Sequence, residues 1–588
     1  MRRTRCRAGR TVVRVTGQAR ISRVAGPLVE VRTSLPVAMN DLVTLGPHAL
    51  PGEIVAIRDD LLSVQAYEYT GGLAPGDVAV PRGHPLSAEL GPWLLGGVFD
   101  GLLRPLSTAA TWLAPGAYGR LGGRTWPFRP AMSAGQQVSA GSVVGVVTGT
   151  GPVEFRVLVP PGVAGTVETV APEGRYGADT AVATVSGVPV TVAARWPVRR
   201  PRPSAGRRTD ATALHTGQRV LDLLFPVALG GTAAVPGGFG TGKTVLLQQL
   251  AKWCDADVIV YVGCGERGNE MAEIVGDLLE LNDPRTGGRL ADRTVIIANT
   301  SNMPMMAREA SIYTGVTVAE FFRDMGYHAV VIADSTSRWA EALREFSSRT
   351  GVLPAEEGYP AELPSALAAF YERAGAVRTL GGQDASVTVL GAVSPPGGDL
   401  TEPVTAHTER FVRCRWTLDR DLAYSRHYPA VSWSASFSRD AGAVGATHAR
   451  TGDPGWAGRR GRAVGLLAES DRLTALTELM GVGALPGHAR MAVLGGRLLR
   501  EAVLQQSALS TNDGFCGEPK TAALLDAVLT VVDRCQEVVA SGTPATVVEE
   551  LDFGPLIRAR EESGPQDTTA AARRRDAMLA RLAELETV

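Results

Sequence analysis

The residues Gly237, Gly238, Phe239, Gly240, Thr241, Gly242, Lys243 and Thr244 read GGFGTGKT, a fit to G-x-x-x-x-G-K-[ST]. Small residues in that pattern let successive backbone N–H groups turn inward around phosphate oxygens, while the helix that follows directs its positive end at them. Lys243 would then reach the β- and γ-phosphates, and Thr244 would offer its hydroxyl to Mg²⁺. The plainer reading is a Gly-rich turn that happens to match. The apolar runs on both sides, Thr232 to Val235 and Val245 to Leu250, favour the phosphate loop, because the motif requires a strand before it and a helix after it. Composition sharpens this. The chain has only three lysines, Lys243, Lys252 and Lys520, among fifty-nine basic residues. A compact ammonium on a slender stem can enter such a loop where a planar guanidinium does not fit.

Hydrolysis of a phosphoanhydride also needs a metal ligand, a positioned water and positive charge on the transferring group. Asp334 ends the apolar run VVIAD, where an acid can hold Mg²⁺ directly or through a water; strand-terminal Asp also occurs in plain turns. Glu266 lies twenty-three residues after Lys243 at the end of a strand expected to neighbour the loop strand. There it could orient and partly deprotonate the attacking water, or serve as a helix N-terminal Glu favoured by the dipole. Arg267 could neutralise γ-phosphate charge or pair with Glu270 or Glu273.

These residues need strand ends to hold them, and from Val220 onward strands and helices alternate, as in a parallel sheet with crossover helices. Expected strands are Thr232 to Val235, Asp257 to Val262, Thr294 to Ala298 and Tyr327 to Ala333; expected helices are Lys243 to Trp253 and the stretch after GCGERGNE to about Leu281. Open sheets of this kind bind ligands at the carboxyl ends of their strands, and Lys243, Glu266 and Asp334 all follow such ends. Upstream, short β-rich runs punctuated by Gly and Pro over 17–85 suggest a small barrel. A second Gly-, Val- and Pro-rich β region spans 107–202. Its pattern resembles a biotin or lipoate carrier, but no lysine precedes Lys243, so an insert or interaction surface remains. The nucleotide-binding region is placed at 203–440. Beyond Ala441 apolar residues recur at helical spacing, giving a C-terminal helical domain over 441–588, with the Gly/Arg-rich stretch Gly445 to Arg462 read as a loop at its start.

The chain has 588 residues, a net charge of −1 and 45% apolar residues, ordinary for a globular protein of several domains. Nothing global draws it to nucleic acid or an anionic membrane, and no run approaches the ~18 apolar residues of a spanning helix. Six scattered cysteines without C-x-x-C spacing argue against a disulfide framework or zinc site and for a reduced, cytoplasmic setting. The first sixteen residues are read as a basic, solvated tail.

The segments TGQRVLDLLFPVALGGTAAVPGGFGTGKT, GCGERGNEM, NTSNMPMMAREASIYTGVTVAEFFRDMGY, ADSTSRWAEALRE and GAVSPPGGDLTEPVT resemble the catalytic A subunit of the V-type and archaeal A-type rotary ATPases. FDGLLRPL and RWPVRRPRP flank an insert where that family carries its bulge domain. The resemblance implies a RecA-like P-loop core with an N-terminal β-barrel, a β-rich bulge and C-terminal helices. It implies ATP or ADP with Mg²⁺ at Gly237 to Thr244, Glu266 as the catalytic carboxylate, Arg267 on the γ-phosphate, Asp334 as the metal acid, and the ring of Tyr428 stacked on adenine. It further implies an alternating A3B3 ring with an arginine finger from the B-type subunit, central and peripheral stalk subunits, a separate membrane rotor ring carrying H⁺ or Na⁺, and a peripheral place on the inner face of the cell membrane. The rival readings are a non-catalytic ring subunit, which would lack Lys243 or Glu266, and a related hexameric helicase or secretion ATPase. The absence of an aromatic and basic RNA platform counts against the helicase. Two positions depart from the family: Gly238 where Ala or Pro is usual, and Leu509 where a second aromatic commonly faces the base. Asp399 and Glu402 lie in a family motif without a derivable role.

Overall fold

The structure, a computed structural model, describes residues 19–106, 124–351, 353–481 and 485–585. The basic tail expected over 1–16 and the start of the expected insert, 107–123, lie outside them.

Six strands close the N-terminal barrel in the order Ala19–Ala25, Leu28–Arg32, Leu61–Ala66, Leu50–Arg58, Asp41–Leu45 and Val78–Pro85. Alternating residues such as Ile21, Val29, Val31, Val43, Leu45, Ile54 and Val64 fill its interior, as the two-residue strand period requires. The guanidinium of Arg199 ties the barrel to the core. It donates to both oxygens of Glu309 at 2.7 Å and to Glu53 of the barrel at 3.2 Å.

The β-rich insert is a sandwich of two four-stranded sheets. Strands Ser87–Leu90 and Ala194–Pro197, one on each side of it in sequence, pair antiparallel. Between them the chain also contributes Val98–Phe99, which adds in parallel to the edge of the central sheet beside Thr294–Thr300. The FDGLLRPL segment is thus bound into the core.

The central sheet runs Phe437–Ser438, Cys414–Arg415, Thr232–Pro236, Asp384–Val393, His328–Asp334, Val258–Glu266, Thr294–Thr300, Val98–Phe99. Every pairing along this order is parallel except the first, between Phe437–Ser438 and Cys414–Arg415. Helices cover both faces, so the central strands are buried on both sides and read as continuous apolar runs. The twenty-residue helix Met305–Asp324 is buried on nearly all sides, which explains why its apolar residues show no single stripe.

The C-terminal part packs helices Ala441–Thr451, Trp456–Met480, Gly487–Leu499, Glu518–Ala540, Gly554–Glu562 and Thr569–Glu584. The stretch Gly445 to Arg462, expected to be a loop, is mostly helical. Of its glycines, Gly445 serves packing: a Cβ there would lie 3.2 Å from the Trp456 ring, and Trp456 stacks on His448 at 5.0 Å, whereas Gly458 and Gly461 face open space. The break falls instead at Gly452, where φ is +121°. The helix Gly487–Leu499 passes through a π-helical turn, Arg500–Leu504, into an irregular loop.

Candidate active site

The phosphate loop turns sharply after Pro236 because Gly240 and Gly242 take φ of +79° and +83°, a region that L side chains rarely adopt. Gly242 caps the helix Lys243–Trp253, which docks through Leu246, Leu247, Leu250 and Ala251. Thr241 is buried and closes the loop by donating its hydroxyl to the Gly238 carbonyl at 2.9 Å. Phe239 at the tip is 98% exposed. The Lys243 ammonium folds back across the loop, donating to the Gly237 carbonyl at 3.4 Å, the Val393 carbonyl at 3.5 Å and the hydroxyl of Ser394.

Two strands, Asp384–Val393 and His328–Asp334, stand between the loop strand and the strand of Glu266. Glu266 is therefore not on the neighbouring strand, as the sequence suggested. The ends still converge, because Pro236 is level with Val393 and Asp334 with Gly263 in the parallel ladders. The register slips between Cys264 and Glu266, with Cys264 opposite Asn299 and Glu266 opposite Thr300. The skipped residue is Gly265, at φ +83°, where a Cβ would strike Arg308 at 2.8 Å. This bulge re-aims the end of the strand and with it Glu266.

Lys243, Glu266 and Asp334 feel one another's charge directly. Burial pushes the Glu266 carboxyl up to about 7; Asp334 adds in the same direction, and Arg338 and Lys243 oppose it. Burial also raises Asp334, against the attraction of Lys243 and a hydrogen bond from the Tyr261 hydroxyl at 3.0 Å. Lys243 is lowered by burial, against the pull of Asp334 and Glu266. Desolvation thus works against charge on all three, and one ammonium faces two carboxylates. Asp334, Thr244 and Ser335 supply hard oxygen donors of the kind Mg²⁺ takes. The Ser335 hydroxyl is buried and makes no hydrogen bond to the described residues.

Arg267 is not drawn into this cluster. Its side chain is 71% exposed and pairs with Glu270 at 3.7 Å. Arg338 faces Glu266 instead, from the first turn of the helix Thr336–Thr350, while also bonding Glu341 at 3.1 Å. Sequence reasoning missed Arg338 and Ser394. The available signals were a basic residue four positions after the strand-terminal acid, and a hydroxyl residue at the carboxyl end of Asp384–Val393. Tyr428 lies at the other end of the loop: a Cβ on Gly242 would be 3.4 Å from its ring, which is 43% exposed. Leu509 is 98% exposed. Glu402 caps the helix Pro403–Phe411 by accepting from Val404 and Thr405 at 2.9 and 2.6 Å, and Asp399 accepts from Thr401 at 2.8 Å, so both have local structural roles.

Three family models match the chain: the nucleotide-binding domain of the ATP synthase alpha/beta family over 217–438, the ATP synthase alpha/beta subunit barrel-sandwich domain over 122–199, and the beta-barrel domain of the same family over 21–83. The V-type ATP synthase alpha chain of Nitrosococcus oceani is 47% identical, with 92% of this chain and 93% of that one covered. The corresponding chain of Anaeromyxobacter dehalogenans is 47% identical over 96% and 99%. The A subunit of the A-type ATP synthase of Haloferax volcanii is 45% identical over 91% and 93%. Among solved structures, the ATPase EscN of the enteropathogenic E. coli type III secretion system shares the fold, with a TM-score of 0.62 at 22% identity, covering 87% of this chain and all of that one.

Proposed function

Because this chain belongs to the ATP synthase alpha/beta family, as a catalytic A subunit of the V/A type, we propose that Glu266, Lys243 and Asp334 carry out its ATP chemistry at the carboxyl end of the central sheet. The chain is the ATP-hydrolysing or ATP-synthesising subunit of a multi-subunit rotary enzyme that couples this reaction to ion movement across a membrane. The observation that carries the residue assignment is the mutual electrostatic influence of Lys243, Glu266 and Asp334 across strand ends that are not adjacent in the sheet.

The backbone N–H groups of Gly238 to Lys243 cradle the β- and γ-phosphates, and the Lys243 ammonium leaves its contacts with Ser394 and the loop carbonyls to bind them. Glu266 accepts the proton of the attacking water. Burial and Asp334 hold its carboxyl near 7, where a base is both deprotonated and strong enough to be useful. Asp334 and Thr244 would hold Mg²⁺, which would supply charge neutralisation at the phosphates. Arg267, swung away from Glu270, lies against the γ-phosphate, and Arg338 balances Glu266 from the opposite side. Tyr428 stacks on the adenine. The site is completed in trans by a B-type subunit supplying an arginine, in a ring joined through stalk subunits to a membrane rotor. The enzyme head sits on the cytoplasmic face; among the described residues no helix is long and apolar enough to cross a membrane.

Glu266→Gln in the assembled complex is the test. Nucleotide binding should persist while steady-state turnover falls by about 10²- to 10⁴-fold. Turnover near the wild-type rate removes Glu266 from the role of base.

A further inference from the structure

Between the nucleotide-binding core and the C-terminal helices runs a buried polar seam that the chemistry above does not use. On one side is the segment Thr216 to Arg219, which opens the short helix Arg219–Leu224; on the other is the loop after the π-helical turn, residues 505–517. Gln506, 3% exposed, stands at their junction. Its amide donates to the Gly217 carbonyl at 2.8 Å and accepts from the Arg219 backbone N–H at 2.9 Å. Its own backbone N–H donates to the carbonyl of Tyr428 at 2.8 Å. The loop around it is clamped by Arg219, whose side chain is fully buried. That guanidinium donates to the Val503 carbonyl at 2.5 Å, the Gln505 carbonyl at 2.6 Å and the Asp513 carboxylate at 2.5 Å. Asp513 in turn accepts from the Ser507 backbone N–H at 2.8 Å.

The Tyr428 ring is half open to solvent and lies beside the last glycine of the phosphate loop, so packing alone does not fix it. Its carbonyl is fixed, by a residue whose side chain is locked to the nucleotide-binding core. We propose that Gln506 is a positioning residue for the base, setting the place of the Tyr428 ring, and that Arg219 and Asp513 hold Gln506 for that purpose. The proposal rests on the reading of Tyr428 as the base-stacking ring. It also gives the C-terminal helices a direct hold on base binding, since the π-helical turn that ends one of them leads straight into Gln506.

The experiment uses the assembled complex carrying Gln506→Met, which keeps the length of the side chain and removes both amide bonds. KM for ATP should rise about tenfold with kcat changed by less than about twofold, and inhibition by inorganic tripolyphosphate, which has no base, should stay within about twofold. In a Tyr428→Ala background the same change should add less than about twofold, because the ring it positions is gone. An unchanged KM, a parallel weakening of tripolyphosphate inhibition, or full multiplication with Tyr428→Ala each overturns the positioning role. Tyr428→Ala that leaves KM for ATP untouched overturns the base-stacking reading instead. If Gln506→Met fails to assemble, Arg219→Lys, which keeps the charge beside Asp513 and loses the fork, should raise KM for ATP alone by about threefold; no rise overturns the proposal.

Discussion

The two ends of the nucleotide site are built differently. At the phosphate end, Lys243, Glu266 and Asp334 stand at the tips of buried strands, and burial shifts all three away from their ordinary ionisation. At the end where we propose that the base binds, Tyr428 and Leu509 lie on irregular segments, 43% and 98% exposed, and the Tyr428 carbonyl accepts from the Gln506 backbone N–H of a hydrogen-bonded seam. A rigid, desolvated environment makes each charge count for more, which suits a group that must stabilise charge developing in a transition state. Base stacking is tolerant in geometry and does not need that rigidity. The contrast suggests that the phosphate end sets the rate and the base end sets affinity, adjustable through the C-terminal helices.

The largest expected effect tests that division. Lys243→Met removes the ammonium that faces both Glu266 and Asp334 and that we place on the γ-phosphate, and ATPase turnover of the complex should fall on the order of 10³-fold. Discrimination of ATP from ADP should shrink with it, while discrimination of adenine from other bases should hold, as competition binding would measure. Loss of base discrimination would show the two ends to be one unit.

A smaller effect concerns stability. The Glu266 carboxyl is raised to about 7 in the folded protein, from an ordinary 4.5. Between those values the folded state binds more protons than the unfolded state, so stability falls as pH rises through this window. The contribution is complete below the ordinary value and lost above 7. Glu266→Gln has no such proton to lose. Relative to wild type it should gain about 1–3 kcal/mol between pH 4.5 and 7.5, measured as the difference in unfolding free energy of the nucleotide-free chain. A difference between the two proteins that does not change with pH would show that Glu266 is not desolvated as described.

The phosphate end was legible in the sequence because its information is local: loop, flanking strand and helix are contiguous from Thr232 to Trp253. Four of the core strands were readable from apolar runs, but Asp384–Val393, which lies directly beside the loop strand, was not among those expected. Strand order was not readable, because periodicity says nothing about which run lies beside which, and two strands stand between those of Lys243 and Glu266. The bulge at Gly265 was hidden for a related reason, since a skipped residue shows only once two strands are paired. Arg267 drew attention by its place next to Glu266, yet a helix start turned it toward Glu270, while Arg338 arrived from another helix. Gly445 to Arg462 misled because glycine is tolerated inside helices: Gly445 allows the close approach of Trp456, while Gly458 and Gly461 sit on open helix surface. The family resemblance supplied Tyr428. The seam that holds it joins residues nearly three hundred positions apart, such as Arg219 and Asp513 at a separation of 294, which no local pattern encodes.

The smallest effect asks whether the phosphate end is as fixed as this contrast holds. Gly238 is one loop glycine without a positive φ, and a Cβ there would meet only the Gly398 Cα at 3.9 Å. Alanine therefore fits without strain, unlike at Gly240 or Gly242, where φ of +79° and +83° excludes it. Gly238→Ala should stabilise the chain by about 0.4–1 kcal/mol by restricting the unfolded state. If the loop is already held by the Thr241 hydroxyl on the Gly238 carbonyl, KM for ATP should change by less than about twofold. A drop in KM beyond that would mean that the unliganded loop samples other conformations and that ordering it is part of the cost of binding phosphate, which would move the adjustable element of affinity from the base end to the loop.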